Sequence, residues 1–154
     1  LARTGVQGNG TASVTIAPMI GRLFSVLERT PDGTKLHFEQ RMEEGLTLTL
    51  SEEAAFETFG ALLENAVRHS RSLVRVSGTA STTETIVMID DDGKGIPEEW
   101  RAAALGRGIR LDQRGNSHGL GLSIAQDFIT ASGGTLTLTT SDLGGLRVTA
   151  VWGL

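Results

Sequence analysis

The run Thr85-Ile86-Val87-Met88-Ile89, which breaks off into Asp90-Asp91-Asp92-Gly93-Lys94-Gly95-Ile96-Pro97, constrains the fold more than any other stretch. Five β-branched or apolar residues read as a strand covered on both faces, with charge only where the strand emerges. Gly93 and Gly95 can take φ > 0 and let a ligand approach the backbone closely. A strand that ends in carboxylates and turns on two glycines is how a sheet edge becomes a ligand site. By turn chemistry alone it is equally an ordinary Asp-Gly loop, so its partners elsewhere in the chain must decide.

The chain has 154 residues, enough for one domain with its own core. A net charge of −4 with both signs dispersed leaves no basic stripe and excludes nucleic acid as a main partner. Cysteine is absent, which excludes disulfides and thiolate chemistry and fits a reducing compartment. No apolar run approaches the ~20 residues of a membrane span. The start, Leu1-Ala2-Arg3-Thr4-Gly5, lacks a signal peptide's layout and looks like a cut inside a longer protein.

Residues 1–12 read as a flexible lead-in, and residues 13–154 as the domain proper. Ser13 to Ile16 reads as a short strand. Ala17 to Arg29 reads as an amphipathic helix, with Pro18 in its first turn and Ile20, Leu23, Phe24 and Leu27 at helical spacing. Strands are predicted over Lys35 to Arg41 and over the alternating Leu46-Thr47-Leu48-Thr49-Leu50. Ser51 is a candidate N-cap, followed by Glu52 and Glu53, for a helix running to Ser70. Its apolar stripe is Phe56, Phe59, Leu63, Ala66 and Val67. Ala61, Asn65, Arg68 and His69 share a neighbouring face that a solvated flank would also explain.

Two strands, Leu73 to Ser77 and Thr83 to Asp90, come next, then a short helix over Glu98 to Ala104. The aperiodic segment from Leu105 to His118 is either disordered or a lid over a ligand. Gly119-Leu120-Gly121-Leu122-Ser123 opens a helix to about Ser132, with Ile124, Phe128 and Ile129 inward, and Gly133-Gly134 ends it. Thr135 to Thr139 and Leu146 to Trp152, joined across Asp142 to Gly145, form a terminal hairpin. Crossovers are too few for a doubly wound sheet. The expected class is α/β (α+β), a two-layer sandwich with a mixed, largely antiparallel sheet and helices on one face.

Three signals therefore fall in order: Asn65 on a long helix, Asp91 to Gly95 after a strand, and Gly119 to Leu122 at a helix mouth. The set resembles the ATP-binding (Bergerat) fold of sensor histidine kinases, type II topoisomerases, Hsp90 chaperones and MutL proteins, and within it the histidine-kinase catalytic domain. Leu62-Leu63-Glu64-Asn65-Ala66-Val67-Arg68-His69-Ser70 looks like the N box, Asp91-Asp92-Gly93-Lys94-Gly95-Ile96-Pro97 like the G1 box, and His118-Gly119-Leu120-Gly121-Leu122 like the G2 box. The resemblance covers roughly Val14 to Trp152, with an ATP lid at about 97–118. No Walker or Rossmann pattern competes with it.

The resemblance implies Mg-ATP as the bound species. Asn65 is then the magnesium ligand, which suits an ion that prefers oxygen and keeps several waters. Arg68 would pair with phosphate, and His69 would flank the nucleotide or be an ordinary surface histidine. Asp91 would accept from the adenine amino group at the base of the pocket, while Asp92 supports the turn. Gly93 and Gly95 leave room for the purine, and Ile96 would pack on it. His118, Gly119, Leu120, Gly121 and Leu122 would set backbone amides at a helix N-terminus toward the phosphates. Arg107, Arg110 and Arg114 on the lid would neutralise phosphate charge or merely solvate the loop.

Two departures stand out. Ala61 occupies the position, four before Asn65, where these kinases usually carry an asparagine or a carboxylate, and Leu105-Gly106-Arg107-Gly108 stands where the phenylalanine motif would be. The implied activity is transfer of the γ-phosphate to a histidine on a separate helical-hairpin domain, with a response regulator downstream. No histidine of this chain fits as acceptor, so the isolated chain is expected not to phosphorylate itself. The implied setting is a cytoplasmic domain of a dimeric parent anchored in the inner membrane, the fragment itself being a monomer. A serine kinase of the anti-sigma-factor type and a degenerate nucleotide-binding docking module are the alternatives.

Overall fold

A computed structural model describes residues 12–106 and 118–153. In chain order the elements are β1 (Val14–Thr15), α1 (Ile16–Leu27), β2 (His37–Met42), β3 (Thr47–Leu48), α2 (Glu52–His69), β4 (Leu73–Ala80), β5 (Glu84–Asp91), α3 (Glu98–Leu105), α4 (His118–Ala131), β6 (Gly134–Thr140) and β7 (Leu146–Gly153). Five strands form one sheet in the order β2-β4-β5-β7-β6. β2 and β4 run parallel and the other pairs antiparallel. The mixed, largely antiparallel sheet with helices on one face is therefore observed.

Side-chain alternation assigns the two faces. Val74 and Val76 of β4, Val87 and Ile89 of β5, and Val148 and Ala150 of β7 are buried toward the helices. Ile86 and Met88, one residue out of phase, are only half-buried. The expectation of a strand covered on both faces is thus corrected: β5 is covered on one face and rimmed on the other.

α1 buries Ile16, Met19, Ile20, Leu23, Phe24 and Leu27, and Phe24 meets Phe38 of β2 at 4.9 Å between ring centroids. α2 begins at Ser51, whose Oγ accepts from the Ala54 N–H at 3.0 Å, with Glu52 and Glu53 in the first turn where the helix dipole favours anions. It buries Phe59, Leu62, Leu63, Ala66 and Val67, but Phe56 is 41% exposed and does not belong to the stripe. On α4 the corresponding correction is Ile124, 42% exposed, while Ile129 is fully buried. These two residues, with Val26, edge a groove between α1, α2 and α4, so the seams between helices leave one position of each stripe outward.

Leu46 to Leu50 alternates as expected, with all three leucines buried, yet only Thr47 and Leu48 pair, with β1 in a separate two-stranded sheet. α4 closes through Gly133 at φ 88°. Trp152 at the end of β7 then donates from Nε1 to Ser132 Oγ at 2.8 Å and lies 6.1 Å from Phe59, which locks α4 and α2 to the sheet. Residues 1–11 of the lead-in and 107–117 of the lid, including Arg107, Arg110 and Arg114, lie outside the described residues. No helix among the described residues is long and apolar enough to cross a membrane.

Candidate functional site

Three consecutive aspartates at the end of β5 meet three environments. Asp91 lies on the helix-covered face at 3% exposure. Its Oδ1 accepts from the Gly93 N–H at 2.9 Å and the Leu146 N–H at 3.3 Å, and its carbonyl accepts from the Gly145 N–H at 3.2 Å. Burial pushes its carboxyl above the usual range; the two amide bonds oppose that, and the neighbouring charges of Asp92 and Asp90 reinforce it. A buried carboxylate answered only by neutral dipoles retains capacity for another donor.

Asp92 turns the other way. It accepts from the N–H groups of Arg71, Ser72 and Leu73 at 2.9, 3.0 and 3.1 Å, and from the Ser72 hydroxyl. Slight burial opposes ionisation, but the hydrogen bonds from Ser72, Arg71 and Leu73 outweigh it and hold the carboxyl at about 2. Asp92 therefore ties the turn after β5 to the segment leaving α2, the supporting role expected of it.

The glycines of this turn have separate physical reasons. Gly95 sits at φ 72°, as the sequence suggests. Gly93 does not have a positive φ; it is needed because a Cβ there would run into the carbonyl of His69 at the end of α2. Gly145, from the β6–β7 turn, packs so closely on Asp91 and Gly93 that a Cβ would overlap the Asp91 carboxylate, and its backbone lies 3.3 Å from where a Gly95 Cβ would be. Ile96 is buried in the core at 3% exposure. Arg101 of α3 donates to the Ile96 carbonyl at 2.9 Å and to Thr140 Oγ1 at 2.8 Å, strapping α3 across the turn.

Asn65, four residues before the end of α2, is 4% exposed, and its Oδ1 is buried with no hydrogen-bond partner among the described residues. A buried carbonyl oxygen without a donor is costly and calls for an explanation. Facing it is Gly121 of α4, whose added Cβ would lie 3.6 Å from Asn65 Oδ1. The N-box and G2-box signals therefore meet in space. Arg68 points to solvent, whereas His69 is half-buried and stays neutral to about 4 through desolvation and the nearby charges of Arg68 and Lys94. Ala61 lines the α1–α2–α4 groove and offers no oxygen ligand.

Of the expected site residues, Asn65, His69, Asp91, Gly93, Gly95 and Gly121 are brought together by contacts between α2, the β5 turn, the β6–β7 turn and α4. Leu122 is fully buried in the core. His118, Gly119 and Leu120 open α4, with their side chains outside the described ones. Among the described residues no group of three or more His, Cys, Asp or Glu could hold a metal ion. The Asn65 oxygen, buried and unpartnered among the described residues, is of the type suited to a hard cation that prefers oxygen and keeps several waters. The sequence reading missed Gly145 and Leu146, whose only local signal was a glycine pair in a hairpin turn.

The family model described as histidine kinase-, DNA gyrase B-, and HSP90-like ATPase matches residues 50–154. The sensor protein kinase CarS of Pseudomonas aeruginosa is 45% identical over 104 residues, 68% of this chain and 23% of that protein. The two-component sensor PhoQ of the same species is 32% identical over 130 residues, 84% of this chain and 29% of that protein. The chain thus spans about a quarter of the length of these relatives. Among solved structures, the ATP-binding domain of PrrB from Mycobacterium tuberculosis superposes with a TM-score of 0.74 at 26% identity, covering 92% of this chain and 95% of that one.

Proposed function

The chain belongs to the family of histidine kinase-, DNA gyrase B- and HSP90-like ATPases, and from that membership we propose that it is the Mg-ATP-binding catalytic domain of a two-component sensor kinase. It donates the γ-phosphate to a histidine on a separate helical-hairpin domain. The observation that carries the reading is Asp91: a buried carboxylate, oriented by two backbone amides, beneath a turn that only glycine can make. That is the kind of acceptor an exocyclic amino group of a purine requires.

Phosphoryl transfer needs positioning and charge neutralisation more than covalent help from the protein. Asn65 would hold the magnesium ion through Oδ1, and the ion when bound would neutralise charge on the phosphates. Gly121 keeps the facing side of α4 low, leaving space beside that oxygen. Amides at the opening of α4, from His118 to Leu122, suit phosphate oxygens at a helix N-terminus. Arg68, exposed three residues beyond Asn65, would pair with phosphate, and His69 would remain a neutral neighbour near pH 7. Arg107 and Arg110 would complete the neutralisation from the lid.

His37 begins an edge strand, not the helix that the family's acceptor segment occupies, and His69 lies beside the Asp91 turn rather than away from the site, which supports a separate acceptor. The parent would be a membrane-anchored dimer with this domain in the cytoplasm and a response regulator downstream, the isolated chain remaining monomeric. Ala61 supports a second reading, a nucleotide-binding docking module without transfer. Calorimetric titration with ATP, with and without magnesium, tests the first step: binding that Asp91→Asn abolishes is expected. A folded wild-type chain that binds no nucleotide would overturn it. Phosphate from labelled ATP appearing on the isolated chain would sink the separate-acceptor claim.

A further inference from the structure

On the face of the sheet opposite Asp91, four charges form a closed set. Arg75, Asp90 and Arg147 stand directly opposite one another across β4, β5 and β7. Arg147 Nε donates to Asp90 Oδ1 at 2.8 Å, and Arg75 Nη2 lies 3.8 Å from Asp90 Oδ2. Asp142, in the β6–β7 turn, closes the set by accepting from Arg75 Nη2 at 2.7 Å and Arg147 Nη2 at 3.1 Å. Asp90 is fully buried and Arg75 is 8% exposed, so half of this charge has left water.

Buried ion pairs contribute little net stability compared with apolar residues of equal volume, but they fix relative position through short, charge-assisted bonds. What these bonds fix is the cradle of Asp91. Asp90 precedes Asp91 on β5. Arg147 follows Leu146, whose N–H donates to Asp91 Oδ1. Asp142 begins the turn that carries Gly145, whose N–H donates to the Asp91 carbonyl and whose Cα is packed on the Asp91 carboxylate. Within the turn, Ser141 Oγ accepts from the Leu143 N–H at 3.0 Å and the Ser141 N–H donates to the Gly145 carbonyl at 2.9 Å, so a pull at Asp142 is carried to Gly145.

We infer that Arg75, Asp90, Arg147 and Asp142 are positioning residues for nucleotide recognition: they set the slide of β7 against β5 and the height of the β6–β7 turn, and so the direction in which Asp91 presents its carboxylate. The inference rests on the ATP reading above and deepens it. The Leu146 bond, at 3.3 Å, is the longest in the cradle, and a slip of a few tenths of an ångström breaks it.

The test uses Asp142→Asn, since the Asp142 side chain is 65% exposed and the change keeps its shape, with Arg147→Lys as a second variant that keeps charge and loses the fork. In the whole chain, amide exchange at Leu146 and Gly145 is expected to quicken in both variants while the melting temperature moves little. ATP affinity should fall about tenfold and preference for ATP over GTP should shrink, and the double variant should be no worse than the weaker single one, as coupled members of one network behave. Folded variants with wild-type exchange at Leu146 and wild-type ATP affinity overturn the inference. Altered exchange with unaltered ATP-over-GTP preference overturns it too, leaving a structural role alone. Failure of the wild type to bind ATP removes the reading beneath it and is seen separately, because exchange is measured without nucleotide.

Discussion

At the end of β5 the two faces of one sheet solve the same electrostatic problem in opposite ways. On the helix face Asp91 is oriented by backbone amides alone, and burial raises its proton affinity. On the opposite face Asp90, more deeply buried, is answered by two guanidiniums. Arg147 is itself held more firmly protonated, first by its hydrogen bond to Asp90. Amides orient a carboxylate without neutralising it; guanidiniums neutralise it, Arg147 bonding Asp90 Oδ1 while Oδ2 faces Arg75 at 3.8 Å with no hydrogen bond among the described residues. Adjacent residues of one chemical type are thus set in an amide cradle and in an ion-pair network by the side of the pleat on which each falls.

Substitution should separate the two faces. Asp90→Asn leaves Arg75 and Arg147 short of a buried counter-charge, and a loss of about 3–5 kcal/mol in urea unfolding is expected, as for one-sided removal from a buried pair. Asp91→Asn should do the reverse: loss of measurable ATP binding, a weakening of at least about 100-fold or about 2.8 kcal/mol, with stability at pH 7 unchanged or raised, because an ionised group of elevated proton affinity opposes folding. Equal unfolding losses for the two variants would break the contrast. Gly145→Ala tests the shared wall; its methyl must displace the Asp91 carboxylate or the turn, and overpacking of about 1–3 kcal/mol together with weaker ATP binding is expected in denaturation and calorimetry.

His69 sharpens the comparison through pH. Its folded-state value is lowered from 6.5 to about 4, so the unfolded chain binds the extra proton between those values. Stability from this group is complete above about pH 6.5 and is lost as pH falls toward 4. His69→Gln should flatten that part of the stability profile in urea titrations at pH 7 and pH 4.5. Smallest is Asn65→Leu: replacing a buried, unpartnered oxygen by an apolar group should shift stability by less than about 1 kcal/mol. The same variant should abolish the magnesium dependence of ATP binding, and persistence of that dependence would remove Asn65 as the ligand.

Much of this was legible because it is local or periodic. The cap at Ser51, the leucine alternation from 46 to 50 and the helix–strand order depend on residues near one another in sequence, and the motifs around Asn65, Asp91 and Gly121 are each contained in one short window. Phe56 and Ile124 misled because a helix wedged between two others has a wider apolar stripe than it buries. Gly93 looked like a positive-φ glycine, but its need is the passing carbonyl of His69, a neighbour only in the fold. Gly145 and Leu146 were illegible for the same reason: register, not motif, brings the β6–β7 turn to Asp91, and no short window contains both.

The contact between Leu146 and Asp91 also sets an order of events in synthesis. The two residues are 55 apart in the chain. At elongation rates of 5–20 residues per second, the carboxylate emerges roughly 3–11 s before the amide that orients it. Strand β7 must also insert between β5 and β6 before the cradle exists. A nascent chain therefore carries Asn65, Asp91 and Gly121 before the cradle of Asp91 is complete, and on the proposed reading competence to bind nucleotide arrives with the last hairpin.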